Sequence, residues 1–325
     1  MSSTEVGVEP EVVVGGVAVS PGERRRIQLP AGRLATGAEI SIPVEVVRGR
    51  RPGPKIWLSA AIHGDELNGI EIIRQVLAEC PPRRLAGTLL AVPIVNVFGF
   101  ITQSRYLPDR RDLNRSFPGS LRGSLAARLA HLFMNEIVEG CSAGIDLHTG
   151  SDDRTNLPQI RGNFADPETR RLAMAFAPPI ILQSTTRDGS LRAAATAAGA
   201  HVLVFEGGEA GRFNRSAIDQ GTRGVLRVME ALEMRKPNSG SSPPSAPLES
   251  KRSQWIRAGR SGLVRLDVEP GDRVEKGGRI GVIKDAFGDR ILRVRTRTPG
   301  IVIGLTRQPH VNRGDALVHV AEVEG

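Results

Sequence analysis

Between residues 56 and 234 short apolar runs alternate with segments of helical period, and this alternation limits the fold more than any other feature of the chain. Residues 56–62 (IWLSAAI) form an apolar run of strand length. Residues 67–78 follow, with Ile70, Ile73 and Leu77 at helical spacing. Residues 89–97 read as the next strand. From Ser124, a side chain suited to capping, Leu125, Leu129, Leu132, Phe133 and Ile137 fall on one helical face. Residues 143–147 are a brief strand, and Asp166-Pro167 opens a helix with Asp as cap and Pro in the first turn. Strands at 180–183 and 202–205, a small Ala-rich helix from Leu191 and a helix ending near Met234 complete the series. Strands alternating with helices predict an α/β domain with a mixed twisted sheet and helices on both faces. Ligands of such sheets bind beyond the carboxyl ends of the strands.

The pattern stops at residues 236–253 (KPNSGSSPPSAPLESKRS), which hold six serines, four prolines and no aromatic residue. This composition predicts a linker. Beyond it the texture changes to short β-branched runs punctuated by Gly and Pro, with an internal repeat. Gly262-Leu263-Val264 and Val274-Glu275-Lys276-Gly277 are echoed by Gly300-Ile301-Val302 and Val311-Asn312-Arg313-Gly314. Two similar β halves predict a small C-terminal all-β, barrel-like domain. The expected division is therefore 1–235 catalytic, 236–253 linker and 254–325 β domain, within the one or two domains that 325 residues allow.

The chain carries a formal charge of +9, which leaves nucleic acid, an anionic surface or an acidic substrate open. Only 4% of residues are aromatic, and Tyr106 is the single tyrosine, so a base-stacking surface is poorly supplied. The charge is uneven: residues 251–325 hold 15 Lys+Arg against 9 Asp+Glu, leaving 29 against 26 in residues 1–250. No run of eighteen apolar residues predicts a membrane span. The acidic start MSSTEVGVEPE reads as a frayed terminus and not as a signal peptide. Cys80 and Cys141 are too few for a disulfide framework and suit a reducing, cytoplasmic setting.

Four motifs carry chemistry. His63-Gly64-Asp65-Glu66 follows the 56–62 strand, so an imidazole and a carboxylate share one strand-to-helix turn. Asp146-Leu147-His148 ends another strand. His63, Glu66 and His148 make the two-histidine, one-carboxylate set of a hydrolytic zinc site. The structural alternatives are a capping histidine, a first-turn acid favoured by the helix dipole and a hydrogen-bonded core histidine. The other histidines, His131, His201, His310 and His319, read as structural or solvated. The long polar stretch from Ser104 to Gly119 is a candidate substrate loop. In it Asn114-Arg115 suits a carboxylate clamp and Arg105 suits a carbonyl oxygen that becomes an oxyanion. Glu206 ends a very apolar strand, where a carboxylate needs a partner or a task. It is either the base beside an activated water or the partner of Arg212 or Arg215.

Taken in this order, His-x-x-Glu, Asp-Leu-Asn-Arg, Asp-Leu-His and Glu, the sequence resembles the succinylglutamate desuccinylase/aspartoacylase family over roughly residues 20–235. That family has a zinc carboxypeptidase-like fold. The resemblance implies one Zn2+ on His63, Glu66 and His148, with Glu206 as general base and then acid. It also implies Arg105 at the scissile carbonyl, Asn114 and Arg115 on the substrate carboxylate, and Asp112 orienting a ligand histidine. The implied activity is removal of an acyl group from an N-acyl amino acid or a similar small anionic amide, without cleavage of internal peptide bonds. A soluble cytoplasmic enzyme follows, with no nucleic-acid or membrane partner; a homo-oligomer is compatible with it. A carboxypeptidase acting on peptides or poly-acidic tails would use the same machinery. The region after the linker is similar to biotinyl/lipoyl carrier barrels, which makes a carrier module the third reading. Lys284 lies where a carrier lysine would, but lacks the Met-Lys-Met or Asp-Lys-Ala setting.

Overall fold

The structure, a computed structural model, describes residues 11–323 except 35, 152, 238–244 and 290. The N-terminal stretch read as frayed and the centre of the expected linker thus lie outside the described residues. A short hairpin, β1 (Val12–Val14) and β2 (Val17–Val19), precedes two long strands, β3 (Arg24–Arg33) and β4 (Glu39–Arg48). Then come β5 (Arg51–Ala60), α1 (Asn68–Glu79), β6 (Ala86–Val92), α2 (Val97–Ile101), α3 (Leu125–Phe133), β7 (Ala143–Gly150) and β8 (Arg154–Gly162). They are followed by α4 (Pro167–Phe176), β9 (Ile180–Gln183), α5 (Leu191–Ala197), β10 (His201–Glu209) and α6 (Arg215–Ala231). The remaining strands are β11 (Leu248–Ser250), β12 (Ser253–Arg257), β13 (Gly262–Leu266), β14 (Arg273–Val274), β15 (Arg279–Lys284), β16 (Ile291–Arg295), β17 (Gly300–Thr306), β18 (His310–Val311) and β19 (Ala316–Ala321).

The centre of the main sheet is parallel, in the order β6-β5-β7-β10. Antiparallel β4 and β3 extend it beyond β6, and antiparallel β8 extends it beyond β10. The central strands are buried on both faces, which is why they read as continuous apolar runs. One face packs on α1, α4 and α6, through Ile72, Val76, Leu172, Phe176, Val225 and Met229. The other packs on α3 and α5, through Leu129, Phe133, Leu191 and Ala195, with Trp57 in its core. Gly144 opposes Trp57 on the neighbouring strand, and a Cβ there would sit 2.1 Å from the indole ring. The caps read from the sequence are formed: Ser124 accepts from Ala127 N at 3.2 Å and Asp166 from Thr169 N at 2.8 Å. The run at 89–97 behaves differently. Its strand stops at Val92, and Asn96 caps α2 by accepting from Gly99 N at 2.8 Å.

The C-terminal part is all-β, and its strands divide between two sheets. β12, β14, β17 and β19 belong to the same thirteen-stranded sheet as the central strands, while β13, β15, β16 and β18 form a separate four-stranded antiparallel sheet. The junction is β8. Residues Arg154, Thr155 and Asn156 pair with Thr306, Leu305 and Gly304 of β17, and Gln159 to Gly162 pair with β9. The tail of the expected linker is itself a strand, since Leu248–Ser250 pairs in parallel with residues 180–182 of β9. An apolar cluster explains this docking: Ile180 and Leu182 pack with Ile301, Ile303 and Ala321, and Leu248 covers them.

Candidate active site

The site lies at the carboxyl ends of β5, β7 and β10. The chain leaves β5 through Ala61, held at φ +48°, with its carbonyl accepting from Asn96 N at 2.9 Å. Gly64 follows because nothing larger fits: a Cβ there would lie 1.9 Å from the Gly99 carbonyl carbon. This close approach turns His63 and Glu66 inward, and both are buried. At the start of α1, Asn68 donates to Gly207 O at 3.0 Å and accepts from Asn214 N at 2.9 Å. The turn that carries His63 and Glu66 is thereby tied to the end of β10, where Glu206 sits.

His63, Glu66 and His148 converge, with one ligand atom from each lying within 4.8 Å of the others. Glu66 bridges the imidazoles. His63 Nδ1 is 2.7 Å from its Oε1 and His148 Nδ1 is 2.8 Å from its Oε2, while Thr149 N donates to Oε2 at 3.1 Å. Each ring is also held from behind. His63 Nε2 lies 3.1 Å from Asp112 Oδ1, and His148 Nε2 lies 2.7 Å from Asp146 Oδ2. Ser59 donates to the other Asp146 oxygen at 2.8 Å. Carboxylates of this kind set ring orientation and tautomer at metal centres.

The imidazoles and carboxylates shift one another's protonation. Burial raises the Glu66 carboxyl, but His63 and His148 outweigh it and hold it well below the usual carboxylate range. Burial lowers both imidazoles, yet Glu66 with Asp112 raises His63, and Asp146 with Glu66 raises His148 well above an ordinary histidine. Three carboxylates, Glu66, Asp112 and Asp146, thus surround the two buried imidazoles. Two nitrogens and one oxygen, anchored and buried, fit the donor set of a zinc ion.

Of the loop residues, Arg105 and Asp112 reach this centre. Arg105 donates to Asp112 Oδ2 at 2.9 Å and reaches Glu66 Oε1 at 3.5 Å. Its neighbours do not compete, because Arg110 and Arg111 are exposed. Asn114 N donates to Asp112 Oδ1 at 2.8 Å, and Asn114 Oδ1 accepts from Leu191 N at 2.9 Å. Arg115 is exposed, with its guanidinium on the Asn114 carbonyl. Glu206 is the register partner of His148 on the parallel neighbour strand, so both side chains project from one face. Arg212 pairs with Glu209 instead of Glu206, at 3.4 Å. The partner of Glu206 is Asn156 of β8, which donates to Oε2 at 2.9 Å.

Sequence reading missed Asp146 as an anchor and Asn156 altogether. A strand's period of two puts Asp146 on the face of His148, which was the available signal. Asn156 had none, since residues 154–162 (RTNLPQIRG) have neither apolar alternation nor β-branched enrichment.

The model of the succinylglutamate desuccinylase/aspartoacylase catalytic domain matches residues 52–232, more than half of the chain. The chain belongs to this family. A curated relative, N-alpha-acetyl-L-2,4-diaminobutyric acid deacetylase of Halomonas elongata, is 26% identical over 300 residues, covering 87% of this chain and 86% of its own. A crystal structure of a succinylglutamate desuccinylase/aspartoacylase from Rhodobacter sphaeroides superposes with TM-score 0.83 at 26% identity, covering 93% of this chain and 96% of its own. The product-bound ectoine utilization protein EutE (DoeB) of Ruegeria pomeroyi shares the fold, with TM-score 0.84 at 21% identity over 94% of this chain and 97% of its own.

Proposed function

We propose that this family member is a zinc-dependent amidohydrolase that removes an acyl group from an N-acyl amino acid or a similar small anionic amide. The observation that carries the reading is the buried His63–Glu66–His148 set, with Glu206 beside His148 on the neighbouring strand. The deacetylase activity named for the Halomonas relative supports the amide-cleaving chemistry. The two buried free thiols support a reducing, cytoplasmic setting.

A zinc ion held by His63, Glu66 and His148 supplies Lewis acidity toward the amide carbonyl and lowers the pKa of water at the site. Asp112 and Asp146 hold the two imidazoles in the orientation that offers Nδ1 inward. Glu206 accepts the proton of the attacking water and hands it to the leaving amine nitrogen. Asn156, donating to one Glu206 oxygen, leaves the other free for that transfer. Arg105 donates to the carbonyl oxygen as negative charge develops on it. Asn114 and Arg115 bind a substrate carboxylate from the loop side.

Dialysis against a chelator should abolish hydrolysis of N-acetyl amino acids, and one equivalent of zinc should restore it. Glu206→Gln should lower kcat by about 10²–10⁴ while one zinc per chain remains bound. Full activity in that variant refutes the role of Glu206, and full activity of the metal-free protein refutes the zinc reading.

A further inference from the structure

Two strands with a free edge border one groove. β12 ends the thirteen-stranded sheet and pairs with β19 alone, and β16 ends the four-stranded sheet and pairs with β15 alone. Among the described residues no strand pairs with the outer edge of either. The groove between them has a volume of about 340 Å3, with Ile256, Leu292 and Val294 on its apolar side. Side chains fix its two ends. At one, Gln254 donates to Thr298 Oγ1; at the other, a Cβ on Gly259 would lie 3.0 Å from Leu292 Cδ2. Glu322 N donates to Arg252 O, and this sets the alternation along β12, so the backbone groups of Ser253 and Trp255 point away from β19. The charged residues of the lining are all arginines, Arg257, Arg293, Arg295 and Arg297, and all are exposed. Arg257 and Arg295 each place one nitrogen on a carbonyl, of Gly314 at 2.9 Å and of Gly277 at 2.7 Å. Arg293 and Arg297 make no hydrogen bond or ion pair with any described residue.

Four cations without a counter-charge, set along two open strand edges, fit an anion that is extended and has a peptide backbone. We propose that this seam docks an extended acidic segment of a partner protein, which pairs its backbone with the free edge of β12 and places its carboxylates on the arginines of the β16 side. Main-chain bonds to an exposed edge supply affinity in such strand addition, and side chains supply the selection. The planar fork of arginine matches a carboxylate. Arg293 and Arg295 are two apart on β16, so they project from one face about 7 Å apart, and alternate residues of an extended segment have the same spacing. A nucleic acid would need stacking faces, but Trp255 is the one aromatic side chain of the groove besides none other in its lining, and it is already stacked on His319. A membrane would need protruding apolar side chains, whereas Ile256 and Val294 of the seam are buried. The seam is independent of the deacylase reading, since β12 stands four strands from β10, which carries Glu206.

The test uses the full chain at physiological salt. The probe is a capped peptide of about eight residues, a strand's length, with Glu at alternate positions and Thr between them. Calorimetry measures its affinity. Tryptophan emission gives a second reading, because Trp255 lines the groove and the other tryptophan, Trp57, is fully buried. The peptide should bind and shift the emission. The double variant Arg293→Gln, Arg297→Gln should weaken binding at least about tenfold. Its Tm should equal that of the parent protein, since neither arginine has a described partner to lose. Two further peptides carry N-methyl groups on the odd or on the even backbone nitrogens. One of them should lose binding and the other keep it, because only one edge of the segment faces β12. A peptide with its glutamates in one block should bind more weakly than the alternating one. Absence of binding, or equal affinity in the double variant, overturns the proposal. Equal affinity of the two N-methylated peptides refutes strand addition. Equal affinity of the block peptide, or tighter binding of a single-stranded oligonucleotide or of phosphatidylserine vesicles, makes the seam a general polyanion surface and overturns the proposal as well.

Discussion

His319 should make this protein lose stability in mild acid, and one substitution should remove the effect. The imidazole is 7% exposed and stacks on Trp255 with ring centroids 4.5 Å apart. Nε2 is 2.9 Å from Ser253 Oγ, while Nδ1 is buried without a partner. The groups facing it are cationic or neutral: Arg161 lies near, and the Arg154 guanidinium sits 5.4 Å from the Trp255 ring centroid. Burial, and then Arg161, holds the ring's pKa down at about 3. An unfolded histidine takes up its proton near pH 6.5. As pH falls from 6.5, the unfolded chain therefore binds a proton that the folded chain refuses, and folding stability drops until the folded ring titrates near 3. At pH 4.5 this proton uptake shifts the folding equilibrium toward the unfolded state by a factor of about 100, a loss of about 2–3 kcal/mol relative to pH 7. Urea denaturation of the parent chain and of His319→Phe, which keeps a ring against Trp255, measures the effect between pH 7 and 4.5. Carboxylates titrate in both proteins, so they cancel in the difference. The gap between the two stabilities should shift by about 2–3 kcal/mol in favour of the variant at low pH. Parallel pH profiles refute the argument.

Other outcomes follow from the same geometry. Asp112→Asn removes the carboxylate behind His63 and should weaken zinc binding by about 10–100-fold in a chelator competition, with no change showing that Asp112 does not orient the ring. Gly304→Ala places a Cβ 2.6 Å from Asn156 Oδ1 and 3.2 Å from Thr155 O. It should cost about 1–3 kcal/mol of stability and lower kcat by moving Asn156 off Glu206; an unchanged kcat breaks that link. Burial raises the Cys80 thiol to about 11 and the Cys141 thiol to about 12. At pH 8 a thiol reagent should label both far more slowly in the folded than in the denatured chain, and equal rates refute their burial. With 15 Lys+Arg against 9 Asp+Glu in residues 251–325, kcat/KM for anionic amides should fall as salt rises; a flat salt profile removes any steering by the C-terminal strands.

Four of the C-terminal strands, β12, β14, β17 and β19, continue the central sheet, and the other four form a sheet of their own. Asn156 shows the consequence: it pairs with Gly304 on one side and bonds Glu206 on the other. Gly304 has no side chain where one would press on Asn156, so the two parts of the chain meet one strand from the proposed base.

Local chemistry was legible in the sequence. His63 and Glu66 lie three residues apart in one turn, His148 ends an apolar run, and Asp166-Pro167 and Ser124 cap helices as their side chains require. Each of these depends on a few neighbouring residues, so a linear pattern suffices. The tertiary structure alone decided β8, its pairing with β17, the strand at residues 248–250 and the bond from Asn156 to Glu206. β8 is polar because one of its faces lines the site, and this erases the alternation by which a strand is recognised. Its partners, β10, β9 and β17, follow it in sequence, with β17 more than a hundred residues further on. Register between such distant strands is set by which side chains pack, and packing exists only in the folded chain.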